Sequence, residues 1–554
     1  MVIKRSNAYV ALFLVAITAG VISNPLGTTV VPVKGRVAPS LGDKLVNPNP
    51  AATRTDKALL PADTLVTANP ATSRANSGAD KILPPVLAEL QERTFRYFWD
   101  TADSRTGLVP DRYPTPSFSS IAAVGFAFTA YPIGVERGYV TREAARERVL
   151  KTLRFFHGAP QGEAATGTAG YKGFFYRYLD MKTGTRSGDI ELSTVDTALL
   201  LGGMLFAQSY FDGPDAEEVE IRRLVEEIYG RVDWRWAQVR ESAISHGWTP
   251  EGGFLRYDWR GYNEAMLVYI LALGSPTHPV APDAWREWTR DYERLLRTEH
   301  GQTHITFSQL FGHQYTHVWV DFRGILDAPM RKAGFDYFEN SRRAVYAQRA
   351  YAIANPKGWL GYGENVWGLT ASDGAADVET VFAGEKRRFR TYYARGTDGS
   401  DDGTIAPTAA AASIAFAPEI AIPAVEEMHR RYGQYIYGEY GFYDAFNPSF
   451  NFDVPLRHGR RIPGFGWVAG DYLGIDQGPI LAMIENYRTG LVWQKTRTNS
   501  HIRRGLQYAG FSGGWLGAPG AVAEAGAGAR GVQQAGFAGG RLAPEKVLEA
   551  AGAR

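Results

Sequence analysis

The stretch ELSTVDTALLLGGMLFAQSYF, residues 191–211, followed at once by DGPDAEEVEIRRLVEEIYG, residues 212–230, decides how this chain folds. From Val195 to Phe206 the first segment carries one charge, at Asp196. A helix that is apolar on every side belongs in an interior. The second segment places Ile221, Leu224, Val225 and Ile228 on one helical face and charged residues on the rest. Such a helix covers a core with one side and meets water with the other.

The same alternation runs along most of the chain. Wet segments are read at Leu87 to Asp100, Thr141 to Phe156, Ala216 to Gly230, Ala281 to Leu296, Tyr337 to Ala354 and Glu419 to Tyr432. Dry segments are read at Ser117 to Glu136, Ser193 to Phe211, Asn263 to Gly274, His317 to Ile325, Pro407 to Phe416 and Ile475 to Tyr487. Six of each in strict alternation is what an all-α (α/α)6 toroid requires, with dry helices lining a central pocket and wet ones sheathing them. The connections 158–191 and 355–406 are long, and ordered loops of that length are more often functional than idle.

Acidic residues stand where dry helices begin. Asp196 opens one, Glu264 opens EAMLVYILALG and Asp476 precedes GPILAMIENY, with Glu191 and Asp321 in comparable settings. The helix dipole favours first-turn carboxylates without any catalytic purpose. A carboxylate capping a buried helix is nonetheless partly buried itself, where pKa shifts arise. Glycosidic cleavage needs one carboxylic acid for the leaving oxygen and one carboxylate to activate water or attack the anomeric carbon. Glu191 and Glu264 are the expected catalytic pair, with Asp196 as the alternative base and Ser193 or Thr194 and Asn263 as N-caps.

Sugar contacts are expected from four further segments, because aromatic faces and side-chain amides and carboxylates recognise sugar rings. These are GYKGFFYRY with Tyr171, Lys172 and Phe174, FGHQYTH with His313 and Gln314, GYGENVWGLTASDG with Glu364, Asn365, Trp367 and Asp373, and GIDQGP with Asp476 and Gln477. His313 and His317 have the spacing of paired zinc ligands, but HQYTH lacks the glutamate of H-E-x-x-H, so no metal is assigned. GFSGG, residues 510–514, matches the nucleophile-elbow letters but opens a Gly/Ala run instead of joining a strand to a helix. No phosphate loop or dinucleotide fingerprint is present in the sequence, and no cofactor is expected.

The chain has 554 residues, 45% of them hydrophobic, enough for a large core. Its net charge of +2 gives no reason to expect nucleic acid as a partner. With no cysteine, disulfides and thiolate chemistry are excluded. Lys4 and Arg5 precede an uncharged apolar run from Ala8 to Ile22, and Val21 and Ser23 fit the small-residue rule for signal cleavage. The expected organisation is a signal peptide or N-terminal anchor at 1–23, a disordered Pro/Ala/Thr-rich linker at 24–83, the toroid at 84–509 and a disordered Gly/Ala-rich tail at 510–554. The product is expected to be periplasmic or secreted, a monomer, and in touch with a membrane only through an uncleaved N-terminal segment.

FRYFWDTADSRTGLVPDR, ELSTVDTALLLGG, YNEAMLVYILALGSPTHP, FGHQYTHVWVDFRGI, GYGENVWGLTASDG, DDGTIAPTAAAAS and IDQGPI together resemble the glycoamylase-like domain family. That family includes bacterial endo-β-1,2-glucanases and a domain of cyclic β-1,2-glucan synthases. The resemblance spans about Glu89 to Trp493. It implies an (α/α)6 glycoside hydrolase acting on β-glucan, with β-1,2 the expected linkage, without a cofactor. Glu191, Asp196 and Glu264 fall inside the matching motifs. A transglycosylase or epimerase-like enzyme in the same fold, and a non-catalytic glycan-binding protein, are the alternatives.

Overall fold

The computed structural model describes residues 80–518. The deciding stretch forms the helix Thr194–Tyr210, buried without a break from Thr194 to Ala207. The charged stretch forms Ala216–Gly230, which buries Ile221, Leu224, Val225 and Ile228. Around the ring the dry helices are Ile121–Glu136, Thr194–Tyr210, Met266–Gly274, Phe311–Trp319, Pro407–Ala411 and Gly474–Arg488. Pro85–Thr101, Arg142–Gly158, Ala216–Gly230, Asp283–Trp288, Tyr337–Ala354 and Pro418–Ile436 alternate with them as the outer sheath. This is an (α/α)6 toroid.

The first two inner helices touch backbone to backbone. A Cβ on Gly203 would lie 1.8 Å from the Gly125 carbonyl oxygen, and one on Gly125 would lie 2.3 Å from that of Leu199. Only glycine permits that approach, and it draws together the inner helices that carry Ser120 and Ser193 at their N-caps. The N-terminal ends of the inner helices gather at one end of the toroid, where loops and short strands cover them. There Ser119–Ser120 pairs with Tyr178–Leu179, and Leu192–Ser193 pairs with Gly247–Thr249, which pairs in turn with Gly253–Phe254.

Several sequence expectations are corrected. The fourth inner helix is Phe311–Trp319, not His317 to Ile325. Its polar residues are buried against neighbouring carbonyls, while the apolar run after Trp319 leaves the helix. Asp321 therefore follows a helix end and is paired with Arg323 at 2.7 Å and with Arg497, far from the mouth. The outer segment Ala281 to Leu296 breaks into Asp283–Trp288 and Tyr292–Leu295. The tail does not begin at Gly510, because Phe511 and Leu516 are buried and the Trp515 indole donates to the Asp321 carbonyl at 2.8 Å. Nor does the linker run to residue 83: Asp80 pairs with Arg137 at 2.6 Å and Arg488 at 2.5 Å. The expected leader at 1–23, the linker up to residue 79 and the tail from 519 lie outside the described residues. Among the described residues no helix is long and apolar enough to cross a membrane.

Candidate active site

Asp196 is set by the start of its own helix. Its N–H donates to the Ser193 hydroxyl at 3.2 Å, and that hydroxyl donates back to the Asp196 carboxylate at 2.5 Å, a reciprocal cap. Glu191 reaches the same place from just before the strand Leu192–Ser193, and Arg177 joins the two. Its guanidinium lies 2.7 Å from Glu191 and 3.2 Å from Asp196. Asn263 is not the expected N-cap of the third inner helix, which starts at Met266 with Ala265 at its cap position; the Asn263 side chain instead accepts the Ala265 N–H at 3.0 Å in the turn before it.

Glu264 is different. Among the described residues it has no salt bridge, and its Oε2 is buried without a hydrogen-bond partner. Burial pushes its carboxyl up to about 7, opposed by its own backbone N–H; Asp196 adds repulsion and Arg177 relieves part of it. Glu191, Asp196 and Glu264 keep 7%, 6% and 6% of their surface, where most of the inner-helix core keeps none. The group is recessed but not sealed.

A second acidic group faces the first. Arg112 donates to Asp373 at 2.8 Å, with Asp471 at 3.5 Å and Asp111 at 3.6 Å. Asp444 accepts the Asp373 N–H at 2.6 Å; burial and then the Asp373 charge push its carboxyl up to about 7, and burial and then Asp444 push Asp476 up. Burial also raises Asp111 to about 6, with Arg112 pulling down and Asp373 and Asp196 pushing up. Asp373, His458 and Asp471 present ligand atoms within 4.8 Å of one another. A cation there would have to displace the Arg112 guanidinium, so the arrangement fits sugar hydroxyls better than a metal.

Aromatic residues connect the two groups. Tyr178 lies within the fields of Asp111, Arg177, Asp196 and Glu191 and stacks on Phe118 at 3.9 Å. Tyr315 and Tyr392 lie within the field of Asp476 and of each other. His246 stacks on Trp259 at 3.7 Å and is held neutral, its pKa pushed down to about 3 by burial and then by Arg177.

Of the sequence-derived contacts, Asp373 and Asp476 lie in this region, whereas the Gln477 amide is buried, donating to the Phe442 carbonyl at 3.1 Å near Leu90 and Thr94 of the first outer helix. The others do not. Trp248 stands opposite Leu192 and shares its face, while Glu191 points to the other face, where a Cβ on Gly247 would lie 3.3 Å from its Cγ. Tyr171 packs on Trp248 at 5.3 Å, Phe174 is wholly buried, and Lys172 lines a peripheral hollow beside Arg231. All three thus lie behind the sheet that carries Glu191. His313 bonds the Phe307 carbonyl at 3.0 Å and Gln314 donates to the Ala409 carbonyl at 2.9 Å, both inside the core. Trp367 is a core residue with 1% exposure, no platform, because its loop turns the ring inward. Glu364 pairs with Arg349 of an outer helix at 2.6 Å, and Asn365 lies on the same turn. Reading the sequence missed Asp111, Arg112, Arg177, Tyr178, His246, Tyr315, Tyr392, Asp444 and Asp471. For Asp111 and Arg112 a signal existed in GLVPDR.

A ring of inward helices with acidic residues gathered at one mouth defines the class of the molecule, an (α/α)6 toroid with a carboxylate-lined cleft. The family model described as "Putative glucoamylase" matches residues 256–500. A Bacteroides uniformis structure of the same description is 33% identical, covers 79% of this chain and is covered over 100% of its own length, with a TM-score of 0.68. The chain belongs to this glycoamylase family. An endo-β-1,2-glucanase from Chitinophaga pinensis, solved with sophorotriose and glucose, is 28% identical over 77% of this chain and 97% of its own, with a TM-score of 0.65. An exo-β-1,2-glucooligosaccharide sophorohydrolase from Parabacteroides distasonis is 30% identical over 450 residues, 76% of this chain. This chain spans 57% of that relative's length.

Proposed function

We propose that the chain is a glycoside hydrolase that cleaves β-1,2-glucan by carboxylate acid/base catalysis. The observation that carries the reading is Glu264, a buried carboxyl whose Oε2 lacks a partner and which keeps its proton up to about pH 7 beside ion-paired carboxylates. A general acid has to arrive protonated at working pH, and burial supplies that here. Glu264 gives its proton to the leaving glycosidic oxygen as the bond to the anomeric carbon breaks. Asp196, ion-paired with Arg177 and hydrogen-bonded by the Ser193 hydroxyl, takes a proton from the attacking water. Arg177 also pairs with Glu191, but Asp196 and not Glu191 is among the charges that act on Glu264, so Asp196 in place of the expected Glu191 is its partner. Activity of the relatives on β-1,2-glucan supports that linkage.

The test is to incubate the purified chain with β-1,2-, β-1,3-, β-1,4- and α-1,4-glucans and measure new reducing ends. Release from β-1,2-glucan alone, abolished by Glu264→Gln, is expected. Cleavage that persists in that variant removes Glu264 from the mechanism. Longer or cyclic products would place the chain among transglycosylases. Export is part of the proposal, supported by Lys4, Arg5 and the apolar run 8–22. Cell fractionation tests it.

A further inference from the structure

One polar atom at the floor of the cleft, Glu264 Oε2, is buried without a hydrogen-bond partner among the described residues. The hydroxyl of Tyr315 stands within the fields of Asp476, Tyr392, Glu264 and Asp196 and is not among the fully buried unpartnered atoms. Buried polar groups in folded proteins are nearly always satisfied, so the Glu264 oxygen calls for a ligand that supplies the missing bond, and the phenol beside it is placed to hold that ligand.

Tyr315 is also fixed where it stands. It sits one turn after Phe311 at the start of the fourth inner helix and is 7% exposed, as Phe311 is. Phe311 flanks its ring at 5.5 Å, and Phe126 of the first inner helix meets it edge-on at 5.9 Å. A phenol braced on two sides has lost its rotational freedom before any ligand arrives, which lowers the entropic cost of a hydrogen bond made there. Burial, with Asp476 and the other neighbouring charges, raises its pKa well above 10, so it is a donor at every working pH. Between two carboxyl groups a neutral donor–acceptor matches a sugar hydroxyl, which both donates and accepts.

We propose that Tyr315 is a substrate-contacting residue whose hydroxyl bonds a hydroxyl of the glucose unit seated between Glu264 and Asp476, thereby holding the unit that bears the scissile bond. This rests on the hydrolase reading above. Tyr315→Phe removes one oxygen and leaves the packing against Phe126 and Phe311 intact, so the fold is preserved. In the otherwise unaltered protein, kcat/KM on β-1,2-gluco-oligosaccharides should fall about 10–100-fold with little change in melting temperature. In the Glu264→Gln background, Tyr315→Phe should weaken calorimetric binding of the same oligosaccharides by a similar factor.

Unchanged kcat/KM together with unchanged affinity overturns the proposal and makes the phenol a structural residue. Failure of the hydrolase reading looks different: the unaltered protein then cleaves no glucan. Binding without cleavage leaves the affinity comparison to decide Tyr315 by itself. Neither binding nor cleavage overturns both.

Discussion

Glu264→Gln separates what the carboxyl costs the fold from what it does for catalysis. In the folded state this group keeps its proton up to about pH 7, against an ordinary value of 4.5. The folded chain therefore binds more protons than the unfolded one between those values, and stability falls as pH rises through that window. The difference, at 1.36 kcal/mol per pH unit, amounts to about 3 kcal/mol above pH 7. Glutamine has nearly the same shape and cannot ionise, so the variant escapes the loss. An unfolding entropy of about 0.9 kcal/mol/K for a domain of this size turns the difference into a rise of about 3–4 °C in melting temperature. Scanning calorimetry at pH 4 and pH 9 provides the assay. The two proteins should melt together at pH 4 and the variant should melt higher at pH 9, with turnover abolished at both. Melting curves that stay parallel across pH would refute the burial argument on which the acid assignment rests.

Three other outcomes follow from the same geometry. For the unaltered protein, log kcat/KM should decline as pH rises through about 7, as Glu264 loses its proton; a plateau extending to pH 9 would exclude it as the acid. Arg177→Met should destabilise by about 3 kcal/mol, since it strands Glu191 and Asp196 as unpaired buried anions, and Arg177→Lys should restore little because one ammonium cannot fork between two carboxylates; chemical denaturation reads both. Gly203→Ala should cost about 3 kcal/mol or more, because the added methyl group would meet the Gly125 carbonyl at 1.8 Å, and wild-type-like melting would show that the two helices can separate freely.

The toroid was legible because hydrophobic periodicity reports on burial one helix at a time. Thr194–Tyr210 and Ala216–Gly230 could be assigned from their own letters. The fourth inner helix could not. Its buried face includes His313, Gln314 and His317, which meet the Phe307 carbonyl, the Ala409 carbonyl and the Ser341 hydroxyl, so its polarity disguised its position. Asp196 and Glu264 were recoverable because a charge at the head of a dry helix conflicts with its surroundings. Arg177, Asp111 and Asp444 lie in irregular segments with no periodicity to conflict with, and only tertiary contacts bring them together. Trp367 and Tyr171 were misplaced for a related reason: an aromatic letter beside glycines fixes a turn but not the side to which the ring points.

The positions of Asp80 and Phe511 have a practical corollary. Asp80 is clamped by Arg137 and Arg488, each at the finishing end of an inner helix, and the strand residue Ser512 pairs with Leu326 beyond the finish of another. The described residues thus begin and end on the side away from the carboxylates. A bead or carrier protein attached beside Asp80 or Ser512 would leave the toroid mouth uncovered, and a long polysaccharide free to approach.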